Sequence, residues 1–212
     1  MVLTVFGATG PVGKRIITYA LAHGYTVRAF GRNVTDLIDE DLRDQKLEAI
    51  KGSVFDKEEV KEVLIGADAV LSVLGGGVDG VDKTRSFGMK IITTQMQEIG
   101  VRRIVALGGS GVLSTASGEF ILNQSDYPEE DAAVGREHLQ AYQHLNSTPL
   151  DWTFVCAPTI KDRDATNNYV TTDIYPPSPD KEYIAAGDLA HFMVDEVVKP
   201  QHLKQRVGIS AA

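Results

Sequence analysis

Between an apolar, β-branched run at residues 2–6 and a helical pattern that begins at Val12, the chain places Gly7-Ala8-Thr9-Gly10-Pro11-Val12-Gly13. No other feature restricts the fold as much. Gly7 permits a sharp turn, Gly10 removes the Cβ that would block a pyrophosphate, and Gly13 lets the helix pack close to the sheet. Pro11 occupies the first helical position, where its missing N–H costs no hydrogen bond. The free amides of a helix N-terminus are then available to an anion. A glycine triplet alone is weak evidence. Its strand–turn–helix setting in the first βα unit makes it a dinucleotide-binding turn.

The rest of the chain agrees with that unit. Apolar residues at Val12, Ile16, Ile17, Ala20 and Leu21 follow helical spacing, and Gly24 ends the helix. Strands are expected at residues 26–30, 47–50, 69–74, 103–107, 152–156 and 206–210, with helices at 57–65, 82–99, 130–145 and 188–198. Strands alternating with helices imply a parallel sheet covered on both faces, an α/β doubly wound sheet of the Rossmann type. At 212 residues the chain suits one domain, residues 1–212. Two stretches have no clear period: residues 108–127, and residues 158–183 with the turn-rich Tyr175-Pro176-Pro177-Ser178-Pro179-Asp180. Both follow late strands, where ligand-contacting loops of an open α/β sheet lie. A small substrate-side region is therefore expected from loops at about 108–130 and 158–186.

Lysine and arginine number 21 against 29 acids, a net charge of −8. Such a chain repels phosphate backbones, which argues against nucleic acid as a partner. The single cysteine, Cys156, cannot form an intramolecular disulfide. It reads as a buried small hydrophobe rather than a reactive thiol. No run of about 18 apolar residues is present, so no membrane association is expected, and the chain reads as cytoplasmic. Asp126, Glu129, Glu130 and Asp131 lack a histidine or cysteine at ligand spacing, so no metal site is expected. They read as a solvated helix start.

The end of the second strand selects the dinucleotide. An NAD site places an acid there to bind the ribose 2′-OH. Arg28-Ala29-Phe30-Gly31-Arg32-Asn33 contains none. Arg32 can instead make a charge-assisted contact with a 2′-phosphate and stack on adenine. NADP(H) is therefore expected in preference to NAD(H).

The glycine turn, Arg32, Leu74-Gly75, Leu107-Gly108-Gly109-Ser110 and Val155-Cys156-Ala157-Pro158 stand in one order along the chain. Together with Ile184-Ala185-Ala186-Gly187-Asp188-Leu189-Ala190-His191-Phe192-Met193 they resemble the atypical short-chain dehydrogenases. Within these, the chain is most similar to the NmrA-like and biliverdin-IXβ/flavin reductase group. The resemblance implies that Gly7, Thr9, Gly10, Pro11, Val12 and Gly13 cradle the pyrophosphate and that Arg32 holds the 2′-phosphate. It implies that Ser53 and Val54 lie beside the adenine, and that Leu74 and Gly75 contact the adjacent ribose. Ser110 and the Ala157-Pro158-Thr159 turn would border the nicotinamide. Many members carry Gly-Asp-Val where this chain has Gly52-Ser53-Val54. Biliverdin-reducing members carry histidine where this chain has Thr159, which argues against biliverdin as acceptor.

Main-branch short-chain dehydrogenases use Tyr-x-x-x-Lys for proton transfer. Tyr142 is followed four residues later by Asn146, and no other tyrosine has a lysine at that spacing. Sugar epimerisation and ordinary alcohol oxidation are therefore disfavoured. Hydride transfer to a flavin or quinone does not need the pair, since positioning carries the reaction and water can supply the proton. Ser110 and Tyr142 are the candidate catalytic residues. Ser110 could equally form a turn. His138 and Tyr142 share one helix face, and the plainer reading makes one wetted and the other packed; His191 reads as structural. The expected function is an NADPH-dependent reductase acting on a small planar acceptor. The alternative is a non-catalytic NADP(H) sensor that changes its contacts with a partner protein.

Overall fold

The computed structural model describes residues 1–34, 46–177 and 181–212. Ser178-Pro179-Asp180, the end of the turn-rich segment, lies outside the described residues. The strands are β1 (Val2–Phe6), β2 (Thr26–Gly31), β3 (Leu47–Lys51), β4 (Ala69–Ser72), β5 (Arg103–Gly109) and β6 (Asp151–Ala157). They are followed by β7 (Thr159–Lys161), β8 (Tyr169–Thr172), β9 (Tyr183–Ala185) and β10 (Gln205–Ala211). The described α-helices are α1 (Pro11–Ala22), α2 (Lys57–Leu64), α3 (Thr84–Ile99), α4 (Glu129–Asn146) and α5 (Ala186–Val198).

The main sheet runs β3-β2-β1-β4-β5-β6-β10-β8. All its pairs are parallel except β10 with β8. This is the doubly wound Rossmann arrangement, with the order reversing between β1 and β4. Alternation within strands splits the apolar residues between two faces. Leu3, Val5, Val105 and Val155 join the core under α1 and α5. Phe6, Ile104, Phe154 and Cys156 join the core under α2, α3 and α4. Thr4 is buried on the latter side, and its hydroxyl donates to the Val63 carbonyl at 3.3 Å.

Three sequence expectations shift. The strand expected at 69–74 ends at Ser72, and Leu74 and Gly75 leave the sheet toward its carboxyl edge. Helix α3 starts at Thr84 rather than Asp82, because the Asp82 carboxylate accepts from the Thr84 amide at 2.8 Å. The stretch at 158–183 contains β7, β8 and β9, and β7 pairs with β9 in a separate two-stranded sheet. Of residues 108–127, the first two end β5, and the rest contain two short 3-10 turns, Ser110–Val112 and Ile121–Asn123, and a bridge from Ser114 to Phe120. Among the described residues, no helix is long and apolar enough to cross a membrane.

A buried ion pair fixes α5 to the sheet. Glu196 accepts from the Arg103 guanidinium at 3.1 Å, the Thr153 hydroxyl at 3.0 Å and the His202 amide at 2.9 Å. Burial lowers the Arg103 pKa, and Glu196 opposes that shift. Removing one member of such a pair strands the other charge in the interior. Glu196→Ala is expected to lower unfolding free energy by about 3–5 kcal/mol in urea denaturation; unchanged stability would show that Arg103 finds another partner.

Candidate functional site

A cleft of about 530 Å³ lies over the carboxyl ends of the central strands. Its floor is the glycine turn, and the three glycines are there for different reasons. Gly7 has φ +82°, and a Cβ on it would stand 2.3 Å from the Val73 carbonyl oxygen. A Cβ on Gly13 would stand 2.3 Å from the Gly7 carbonyl oxygen. Protein packing alone therefore demands both. At Gly10 a Cβ would meet only the Gly7 oxygen, at an ordinary 3.6 Å, and φ is −75°. The fold has no need of glycine at position 10. The missing side chain leaves room on the cleft side, where a pyrophosphate must approach the backbone closely.

The start of α1 is also left open to an anion. Gly10 offers no side chain to cap it, and its first turn holds no acid. By contrast, α2, α4 and α5 all carry acids in their first turns. The positive end of α1 and its unpaired first-turn amides are thus uncompensated by the protein. The cradle fits the pyrophosphate of a dinucleotide.

At the β2/β3 end the cleft is lined by Gly31, Arg32, Gly52 and Val54. Arg28 is spoken for: it pairs with Glu48 at 3.1 Å and donates to the Val63 and Ile65 carbonyls. Arg32 is exposed at the rim. Ser53 does not line the cleft; its amide donates to Glu59 at 2.7 Å and its hydroxyl accepts from the Phe55 amide. Leu74 and Gly75 border the middle, and a Cβ on Gly75 would meet nothing within 4 Å.

At the β5/β6 end the lining is Leu107, Gly108, Gly109, Ala157, Pro158 and Ile160. Thr159 sits between two of these but is not part of the lining; it lies in β7, where its amide donates to the Glu182 carbonyl. Ser110 follows Gly109 directly and opens a 3-10 turn, outside the lining. Tyr142 also lies outside it. Its ring packs among Phe120, Trp152 and Phe154 at 5.5–6.1 Å between centroids, under the Arg206 guanidinium. One helical turn earlier, His138 does line the cleft. Cys156 is wholly buried, and burial pushes its thiol up to about 12. His191 stacks on Tyr19 at 3.8 Å.

The sequence reading missed a polar cluster between α3 and α4. The Asp82 carboxylate accepts from the Gly77 and Thr84 amides, both at 2.8 Å, and hydrogen bonds to Thr84 and Gly77 hold its pKa down at about 2. Arg85 donates to the carbonyls of Gly76 and Gly77 and lines the cleft. Glu137 is buried. Burial works against its charge, but hydrogen bonds from Lys83 at 2.7 Å and Ser86 at 2.6 Å outweigh that and lower its pKa. The local signal for part of this cluster was an aspartate two residues before a threonine, five residues after three consecutive glycines. Among the described residues, no group of three His, Cys, Asp or Glu side chains is placed to hold a metal ion.

Burial, reinforced by Arg85, pushes the His138 imidazole down to about 4, against the pull of Glu137. Its folded-state pKa lies below the ordinary 6.5. Its contribution to stability is therefore complete above pH 6.5 and is lost as pH falls toward 4, because the unfolded chain takes the proton first. The full shift is worth about 3 kcal/mol, and the ring's edge on the cleft reduces this to about 2. Between pH 7 and pH 4, the wild-type protein should lose about 2 kcal/mol more stability than His138→Leu in denaturant titrations. Parallel losses would show that His138 protonates freely in the folded state.

Comparison with known proteins agrees with this geometry. Residues 7–200 match the family model described as NAD(P)H-binding. An uncharacterized protein of Bacillus subtilis, YwnB, is 23% identical over 220 residues, covering 99% of this chain and 98% of its own. A crystal structure from Streptococcus pneumoniae TIGR4, named as a candidate NADH-flavin reductase, is 26% identical with a TM-score of 0.84 over 100% of both chains. A short-chain dehydrogenase/reductase from Veillonella parvula, crystallised with NADP, shares the fold with a TM-score of 0.80 at 14% identity, over 99% of this chain and 94% of that one. The chain belongs to the NAD(P)H-binding family.

Proposed function

We propose that the protein is an NADPH-dependent reductase that passes hydride to a flavin, quinone or similar planar acceptor. The observation that carries the reading is Gly10: a glycine the fold does not require, at the uncapped start of a helix, on the floor of the cleft. The pyrophosphate of the cofactor would lie against the amides of this first turn. Val54, Leu74 and Gly75 would border the adenosine half, and Ser53 would support that wall through its bond to Glu59. Arg32, at the rim beyond β2, would hold the 2′-phosphate. The V. parvula protein's NADP and the S. pneumoniae protein's name lend support from the same fold.

The bound nicotinamide would supply the hydride at the β5/β6 end. There Leu107, Pro158 and Ile160 give an apolar wall against which a planar acceptor can lie. With the stretches after β5 and β6, at about 108–130 and 158–186, they would form the acceptor side. With no Tyr-x-x-x-Lys pair, the protein's part is to hold donor and acceptor face to face and exclude water. Ser110, next to the lining residue Gly109, would orient the acceptor through its hydroxyl. The protein acts in the cytoplasm on a small molecule.

Purified protein is expected to consume NADPH, followed by absorbance, with one class among FMN, riboflavin and quinones, and to turn over biliverdin poorly. Tight NADPH binding without reduction of any acceptor would replace this reading with a cofactor sensor that acts on a partner protein. Arg32→Ala should weaken NADPH binding at least tenfold in calorimetric titration and leave NADH within about twofold, since only NADPH loses a charge-assisted contact. Equal losses would remove Arg32 from the 2′-phosphate site.

A further inference from the structure

His138 lies against the end of β5, where the hydride would be passed. A Cβ on Gly109 would stand 3.0 Å from the imidazole Cδ2 and 3.5 Å from Nε2. The neighbouring Gly108 is needed for a different reason, since its Cβ would strike the Phe154 ring. The two glycines thus clear space for two aromatic side chains. The ring of Phe154 is core and the ring of His138 borders the cleft.

The imidazole has no hydrogen-bond partner among the described residues. Nδ1 is sealed from solvent and unpartnered. Nε2 is not among the sealed, unpartnered atoms, and the residue lines the cleft. The charged groups nearby are already engaged: Glu137 accepts from Lys83 and Ser86, and Arg85 donates to two backbone carbonyls. A polar side chain kept this way, without a partner, on the wall of a functional cleft needs an explanation, because burial without hydrogen bonds costs free energy. A proton on Nδ1 would find no acceptor. The proton therefore belongs on Nε2, and the neutral ring presents an N–H to the cleft.

We infer that His138 is the hydrogen-bond donor this protein presents to the acceptor, and that the acceptor carries a conjugated carbonyl oxygen, as a quinone or an isoalloxazine does. This rests on the reductase reading. The reduced nicotinamide, when bound, would supply a hydride, a proton with two electrons; the acceptor that takes it would be reduced, with negative charge on its carbonyl oxygen. The Nε2–H of His138 stabilises that charge through a hydrogen bond already aimed at it. Water supplies the proton that completes the reduced product, and the imidazole stays neutral throughout. Burial and the positive charge of Arg85, which disfavour protonation of the ring, suit it to donate this bond without becoming an acid.

The test compares wild type with His138→Ala and His138→Gln, using NADPH with menadione and with FMN. His138→Ala should lower kcat/KM ten- to a hundredfold while the calorimetric Kd for NADPH stays within twofold. His138→Gln, whose amide can donate from a similar place, should recover part of the loss. In wild-type protein labelled with ¹⁵N-histidine, the His138 Nε2 resonance should show the protonated nitrogen and shift when menadione joins the NADP⁺-bound protein. Unchanged turnover in His138→Ala, or a loss of NADPH affinity equal to the loss of kcat/KM, would overturn the assignment. If wild type reduces no acceptor, the reductase reading falls by itself and the resonance decides. A shift with menadione keeps His138 as the donor to a bound carbonyl compound, and no shift removes it.

Discussion

At the start of α1, the backbone of Gly13 packs against the carbonyl of Gly7 so closely that no methyl group would fit between them. Gly7 in turn sits against the Val73 carbonyl with the same lack of room, in a left-handed conformation. These two approaches lock β1, the exit from β4 and the first turn of α1 into one side-chain-free junction. Because β1 and β4 flank the point where the strand order reverses, the junction sets a helix N-terminus over the sheet's natural crevice. The cleft, its anion-facing floor and the direction of α1 all follow from that packing. Gly10 is then free to answer to a ligand rather than to the fold.

The far wall of the cleft depends on electrostatics instead. Helices α3 and α4 meet around the Glu137 carboxylate, which stays charged although buried because Lys83 and Ser86 both reach it. From α3 the same contact orients Arg85, whose guanidinium ties down the carbonyls of Gly76 and Gly77. From α4 it orients the next residue, His138. A buried carboxylate with full hydrogen bonding makes a rigid support, whereas a half-satisfied one would leave the helices free to slide. The glycine-rich segment after β4 has almost no side chains to pack, so its path over the cleft rests on Arg85 and Asp82.

The junction at Gly7–Gly13 could be read from the chain because its determinants are local: spacing, a first-turn proline and flanking apolar periods. The parallel sheet could be read for the same reason, since strands such as β1 and β6 are almost wholly apolar. Strands β7, β8 and β9 could not. They are three or four residues long, too short for a period, and owe their shape to distant contacts. One such contact is Lys161 over the Tyr183 ring at 3.6 Å; another is Gly187, which comes so close to the Ala165 amide that no Cβ fits. Within the site, Gly7 to Gly13, Leu74, Gly75, Ala157 and Pro158 line the cleft as the sequence suggests, Ser53, Ser110 and Thr159 do not, and the residues facing the cleft across helices were not legible. His138 and Tyr142 have the same helical phase, and four-residue spacing cannot say where a cleft stops. The answer lies in Phe120, Trp152 and Phe154, which enclose Tyr142, and in Gly109, which makes room for His138.

The chain after β6 is held to α1 and α5 by a third device. Arg15, one turn into α1, pairs with Asp162 at 2.6 Å and Asp164 at 3.0 Å, just beyond β7. Both acids are largely exposed, so these pairs contribute little and are screened by salt. The stronger hold is Asp188, almost fully buried in the first turn of α5. It accepts from the Thr166 amide and hydroxyl at 2.8 Å and from the Asn167 amide at 2.7 Å. Three donors on one buried carboxylate at a helix N-terminus form a charge-assisted set that the helix dipole reinforces. The chain between Pro158 and α5 is thus anchored firmly at its α5 end and lightly at Arg15. Displacing this stretch from α1 would break the Arg15 pairs before the Asp188 set, since the exposed contacts are the cheaper ones to lose.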